Sequence, residues 1–269
     1  MIISSKQNSK IKFIRALLGR AKERREAGAF VVEGLRLVEE AVSSNWGFRF
    51  VLYDESLNER GKLLVESLKS RGVEVEQVSE SVMKSLSETE TPQGILAILQ
   101  FSNLPTLRQA QGGVPNSLDF ILIPDQIRDP GNLGTLLRTA AATGVQAVLL
   151  PPETTDAFAP KVVRSGMGAH FRLPIHSMTW DEIEQICKSV NLQIYLADMD
   201  GQSCWETDLR QPLALIVGGE AEGASEQARK LANKQISIPM AGNVESLNAG
   251  VAGSVLMFEV VRQRKHSAG

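Results

Sequence analysis

Cysteine is nearly absent: Cys187 and Cys204 are the only two in 269 residues, and they form no CxxC pair. That excludes a disulfide-stapled scaffold and points to a reducing compartment, the cytoplasm. Aromatic residues are scarce too, at 5%, so the core has to be aliphatic. No apolar run approaches the roughly 18 residues that cross a bilayer, and no membrane association is expected. The opening stretch MIISSKQNSK is polar and basic, without the apolar centre of a signal peptide. The three histidines, His170, His176 and His266, have no metal-ligand spacing, so no metal is expected. There is no P-loop. The nearest string to a dinucleotide-binding GxGxxG is Gly166-Met167-Gly168, which continues Ala-His-Phe without the third glycine. A nicotinamide-dependent dehydrogenase therefore lacks its fingerprint.

Net charge is low, at −2, with a pI of about 6.0, so the chain as a whole is not a basic nucleic-acid binder. The charge is unevenly spread. Lys6, Lys10, Lys12, Arg15, Arg20, Lys22, Arg24, Arg25 and Arg36 face only Glu23, Glu26 and Glu33 over residues 6–36. Ile11, Ile14, Leu17, Leu18 and Ala21 recur there at helical spacing, which predicts one helix over 6–27 with a basic outer face. Such a face is either simply solvated or a phosphate-binding surface, because local charge density is what attracts RNA.

Hydrophobic content of 43% is ample for a core, and the length suits one large domain or two modest ones. Strand-like and helix-like segments alternate up to Phe101, which predicts a small α/β sandwich over residues 1–102. Residues 103–117, NLPTLRQAQGGVPNS, have no sustained periodicity and read as a linker. A second α/β pattern fills 118–269. Its last helix, predicted over 247–263, holds Gly250 and Gly253 among Ala249, Ala252 and Ser254. Glycine inside a helix costs about 1 kcal/mol relative to alanine, so this thin surface is expected to admit another backbone, from the same subunit or a second one. Leu247, Val251, Val255 and Phe258 form the predicted apolar stripe.

Three segments carry chemistry. In DQIRDPGNLGTLLRTAAATGV (125–145) an aliphatic strand runs into a Pro/Gly loop, with Asn132 at a possible helix cap and Arg138 six residues on. Plain capping and a surface ion pair are the alternative readings of these two. In LALIVGGEAEGAS (213–225) a strand ends in Gly218-Gly219-Glu220, where glycine allows close approach of a ligand. In ISIPMAGNVESLNAGVAGSV (236–255) Ser246, Leu247 and Asn248 converge at a helix start, whose free N–H groups favour a polar ligand.

Together the three resemble the TrmH/SpoU family of RNA ribose 2′-O-methyltransferases, in the SPOUT superfamily. The resemblance rests on Asn132 and Arg138, on Gly218, Gly219 and Glu220, and on Ile238, Pro239, Met240, Gly242, Ser246, Leu247 and Asn248. GAFVVEGLRLVEEA (28–41) is similar to the family's L30e-like substrate-binding domain. One departure is Ala221 after Glu220, where many relatives have glycine.

The resemblance implies a small L30e-like α/β sandwich followed by a trefoil-knotted methyltransferase domain with a mainly parallel sheet. It implies S-adenosylmethionine as cofactor, held near Gly218, Gly219, Ile238, Met240 and Leu247. It implies a catalytic set of Asn132, Arg138, Glu220, Ser246 and Asn248. The partners it implies are RNA, most simply large-subunit rRNA, and a second copy of the chain packed through the knotted domain. Two other readings remain open at this level: a tRNA 2′-O-methyltransferase, and a non-catalytic RNA-binding assembly protein.

Overall fold

Backbone breaks and caps explain where the elements of the first unit lie. The computed structural model describes residues 2–89, 92–101, 118–219, 223–242 and 246–265. The predicted linker 103–117 lies outside them. One compact unit contains the described residues up to 101 together with 158–164; the other contains 118–157 and the residues from 165 onward.

The basic helix predicted over 6–27 is two helices, α1 (Ser9–Gly19) and α2 (Ala21–Ala27). Arg20 between them is extended, with φ −131° and ψ 134°. Arg24 is buried, and its guanidinium donates to the Leu17 carbonyl that the break leaves open. Strand β1 (Ala29–Glu33), helix α3 (Leu35–Ser43), β2 (Phe48–Tyr53), α4 (Glu59–Ser70), β3 (Val75–Gln77), α5 (Glu80–Leu86) and β4 (Ile95–Gln100) follow. The sheet order is β1-β4-β2-β3, with β4 antiparallel to both neighbours and β2 parallel to β3. Ile11, Ile14 and Leu17 of α1 bury against Val31, Leu52 and Ile98 of this sheet. That packing uses the predicted apolar face of α1 and leaves its cations outward.

The second unit is a six-stranded sheet, β10-β8-β9-β5-β6-β7, in which every pair is parallel. Its strands are β5 (Phe120–Pro124), β6 (Ala147–Leu150), β7 (Ile175–Ser177), β8 (Gln193–Ser203), β9 (Leu213–Val217) and β10 (Lys234–Ser237). Its helices are α6 (Pro130–Thr143), α8 (Trp180–Ser189), α9 (Glu226–Leu231) and α10 (Ala249–Lys265); the intervening α7 (Pro160–Ser165) belongs, but for Ser165, to the first unit. β5 and β9 are buried along their whole length, as expected of a parallel sheet covered on both faces. The chain winds from β5 out to β7 on one side, then to β8 and β9 on the other. Ligands in such sheets bind beyond the carboxyl ends of the strands near the reversal.

The cap of helix α6 lies three residues before the one the sequence suggested. Asp129 is the N-cap, Pro130 follows it, and the Asp129 carboxylate accepts from Asn132 N at 2.8 Å. Asn132 is therefore inside the helix and its side chain is released from capping.

The last helix also packs on a different face from the one its stripe predicted. Val251 and Phe258 are 47% and 54% exposed, while Leu256, Met257 and Val260 are buried. The glycine face packs within the subunit, against α6. A Cβ on Gly253 would overlap Leu136 Cδ2, and one on Gly250 would sit 3.3 Å from Thr135. Ser254 and Thr139 hydroxyls meet at 2.8 Å along the same seam. The small-residue face is thus occupied by this chain itself, not open to a second copy.

Candidate active site

Beyond the carboxyl ends of β8, β9 and β10 lies a cavity of about 430 Å³. Gly218, Gly219, Ile238, Met240 and Leu247, the five residues singled out for cofactor binding, all line it. Ser246 does too. The glycines are needed by the backbone: a Cβ at 218 would lie 2.7 Å from Ala224 N, and one at 219 would lie 2.5 Å from Gln126 O. Each closes a loop against its neighbour and shapes the cavity wall. Glu220 and Ala221 lie outside the described residues.

The opposite wall comes from an irregularity in β8. β10 pairs with Tyr195 and Leu196, then skips to Gln202 and Ser203. Residues 197–201 bow out, and Gly201 makes room, since a Cβ there would meet the Gln235–Ile236 backbone at 2.5 Å. The bow places Ala197, Asp198 and Met199 on the cavity.

From Ser246 and Leu247 the chain enters α10 through Asn248. The Asn248 Oδ1 accepts from Val251 N at 3.2 Å, so Asn248 caps α10. Its Nδ2 donates to Asn132 Oδ1 at 2.9 Å. Two residues from separate motifs are thereby joined next to the cavity wall. Arg138 lies six residues further along α6, roughly 9 Å at 1.5 Å per residue. It is exposed and makes no hydrogen bond or ion pair among the described residues. The structure therefore unites Asn132 and Asn248, puts Ser246 on the cavity and leaves Arg138 facing solvent.

Sequence reasoning missed three residues here. Asp125, at the end of β5, is fully buried, and its Oδ2 accepts from Ser225 N at 2.6 Å. Burial raises its carboxyl above the ordinary range, opposed by the Ser225 bonds. It anchors the loop after Gly218–Gly219 to the first motif. An acid directly after the aliphatic strand FILIP was the available signal. Asp198 and Arg229, an ion pair at 2.6 Å on the cavity wall, had none, since they come from different elements and match no motif.

The relatives of the chain agree with this architecture. Residues 119–258 match the SpoU rRNA Methylase family, and residues 8–97 match the MRM3-like substrate binding domain. The 23S rRNA (guanosine(2553)-2′-O)-methyltransferase RlmP of Bacillus subtilis is 32% identical, over 96% of this chain and 98% of that protein. The 23S rRNA (uridine(2479)-2′-O)-methyltransferase of Streptomyces viridochromogenes is 30% identical, over 96% and 91%. Among solved structures, the SpoU methyltransferase AviRb from S. viridochromogenes, in complex with the cofactor AdoMet, superposes with a TM-score of 0.84. That likeness covers 96% of this chain and all of AviRb, at 28% identity. With its parallel sheet and cavity, and with the family match over more than half its length, the chain belongs to the SpoU rRNA methylase family.

Proposed function

We propose that this protein transfers a methyl group from S-adenosylmethionine to a ribose 2′-hydroxyl of RNA, with large-subunit, 23S-type rRNA as substrate. The observation that carries this reading is the continuity of one wall. Ser246 and Leu247 line the cavity, and the next residue, Asn248, bonds Asn132 at 2.9 Å on the exposed side. A cofactor in the cavity and an RNA strand outside it would meet at that pair. Family membership and the 23S rRNA named for two relatives support the substrate class.

The residues present suit the cofactor. The volume, about 430 Å³, falls among small-molecule sites of roughly 300–1,000 Å³. Val217, Ile236 and Leu256 offer an apolar bed for a flat ring, and Asp198 and Arg229 offer charge. When bound, S-adenosylmethionine supplies a methyl group activated by a sulfonium. Gly218 and Gly219 would hold it through backbone groups, and Ile238, Met240 and Leu247 would hold it by packing. Asn132, Ser246 and Asn248 orient the ribose. Arg138 pairs with an RNA phosphate and stabilises negative charge developing on the 2′-oxygen. Its part is charge and geometry rather than proton removal, because a guanidinium is a poor base. Glu220 either orients Arg138 or takes up the 2′ proton.

The same reading makes the protein a cytoplasmic homodimer with a trefoil knot at its C-terminal end. Val251 and Phe258, exposed along α10, form the surface through which a second copy packs. Among the described residues no helix is long and apolar enough to cross a membrane, and both cysteines are buried free thiols.

The test is methyl transfer from radiolabelled S-adenosylmethionine to rRNA by the full-length chain and by Arg138→Lys and Arg138→Gln. Label recovered as a 2′-O-methylated nucleotide is the expected result. Arg138→Gln should lose at least about a hundredfold, and Arg138→Lys should recover only part, lacking the planar fork. No transfer to any rRNA, with RNA binding intact, would replace the enzyme by a non-catalytic RNA-binding protein. Full activity with lysine would reduce the role of Arg138 to charge alone.

A further inference from the structure

The cavity contains one pair of opposite charges that neither the motifs nor the proposed transfer step uses. Asp198 sits on the bowed part of β8. Its Oδ1 accepts from Asp200 N at 3.1 Å, which fixes the carboxylate. Its Oδ2 accepts from Arg229 Nη1 of α9 at 2.6 Å. Asp198 is 14% exposed and Arg229 46%.

We propose that Arg229 receives the carboxylate of the methionine part of the cofactor, and that Asp198 is the positioning residue that holds its guanidinium. This rests on the S-adenosylmethionine reading above and extends it to a residue outside the three motifs.

Three observations carry it. First, among the described residues lining the cavity, Arg229 is the only cation and Asp198 the only anion. An amino-acid tail must place its carboxylate somewhere, and a partly enclosed carboxylate without a donor is costly. Of the serine hydroxyls on the wall, Ser237 Oγ is already committed to Gly201 O at 2.8 Å. Second, Asp198 takes the guanidinium through Nη1 rather than both ends of the fork. One of five N–H donors is used and Nη2 is left over. That Nη2 lies beside Gly223, 3.4 Å from where a Cβ would stand. Gly223 and Arg229 both line the cavity. Third, an ion pair this exposed contributes little to fold stability. Its consequence is to aim the guanidinium, because Arg229 held by a fixed carboxylate loses fewer conformations on binding. The rest of the cavity is apolar enough to take the adenine, so the cofactor's two ends sort by polarity.

The experiment is calorimetric titration of the full-length protein with three ligands: S-adenosylmethionine, S-adenosylhomocysteine, and decarboxylated S-adenosylmethionine. The wild type should favour the two that carry the carboxylate. Arg229→Gln should bind those two roughly tenfold or more weakly, and bind the decarboxylated ligand unchanged or tighter. Asp198→Asn should show the same pattern with a smaller loss. The proposal is overturned if Arg229→Gln weakens all three ligands equally, or if it leaves S-adenosylmethionine affinity intact. A wild type that binds neither carboxylate ligand, with or without RNA, fails at the cofactor itself and removes the proposed function along with this inference.

Discussion

Asn248 Nδ2 donates to Asn132 Oδ1 at 2.9 Å, across 116 positions of sequence. The same Asn248 side chain caps α10 through Val251 N at 3.2 Å. One residue therefore does two separable things: it starts a helix, and it ties that start to α6 beside the cavity. Asn248→Ser separates them. Serine caps as well as asparagine but is too short to reach Asn132. Stability by chemical denaturation should change by less than about 1 kcal/mol. Methyl transfer should fall by roughly tenfold or more, because a small misplacement of positioning groups is expensive in rate. Asn248→Ala should lose the same activity plus about 1 kcal/mol of cap. Wild-type turnover in the serine variant would refute the bridge as a positioning device.

Much of this arrangement could be read from the chain, for identifiable reasons. Phe48–Tyr53, Ala147–Leu150 and Leu213–Val217 begin and end in the structure where their largely apolar runs do. The residues flanking each run favour turns, so local chemistry and burial agree. Gly218, Ile238, Met240 and Leu247, grouped in the sequence only by the family resemblance, line one cavity. What stayed hidden depends on packing. The face of α10 was assigned by hydropathy, yet α6 accepts only the glycine side, because Leu136 fills the space a Cβ at 253 would need. Asn132 reads in the sequence as a possible cap of α6, although Asp129 followed by Pro130 is the stronger start signal. The break at Arg20 had only Gly19 as a cue; the buried Arg24 that then satisfies the Leu17 carbonyl reads in the sequence as one more surface cation. β7 is three residues long, too short for any periodicity to register.

The corrected face of α10 changes where the second copy should dock. Val251 and Phe258 project outward, seven residues and about two turns apart. Val251→Glu with Phe258→Glu places charges on that stripe without touching the seam with α6. Sedimentation equilibrium should show a dimer for the wild type and a monomer for the double variant, with the thermal midpoint of the domain largely kept. A wild type that is monomeric at micromolar concentration, or a double variant that stays dimeric, would remove this stripe as the interface.

The basic face of α1 and α2 is more selective than its sequence suggests. Lys10 is engaged by Glu74 and Glu76 at 2.6 and 2.9 Å, and Arg15 donates to Lys6 O and Ser85. Arg24 is buried, so replacing it tests the fold rather than the surface. Arg24→Gln strands the Leu17 carbonyl and should cost about 1–3 kcal/mol of stability. Lys12, Arg20 and Arg25 remain, exposed and without an ion pair among the described residues. If they touch RNA phosphates, each contact releases a counterion, and the slope of log affinity against log salt should fall by about 0.7–0.9 per residue. The triple variant Lys12→Gln, Arg20→Gln, Arg25→Gln should therefore flatten the slope by roughly 2 to 3 and weaken binding most at low salt. Its denaturation curve should overlay the wild type, because none of the three is buried. Filter binding of an rRNA fragment across a salt series measures the slope directly. An unchanged slope with normal folding would move the RNA-contacting face away from these two helices, leaving their charge as ordinary solvated surface.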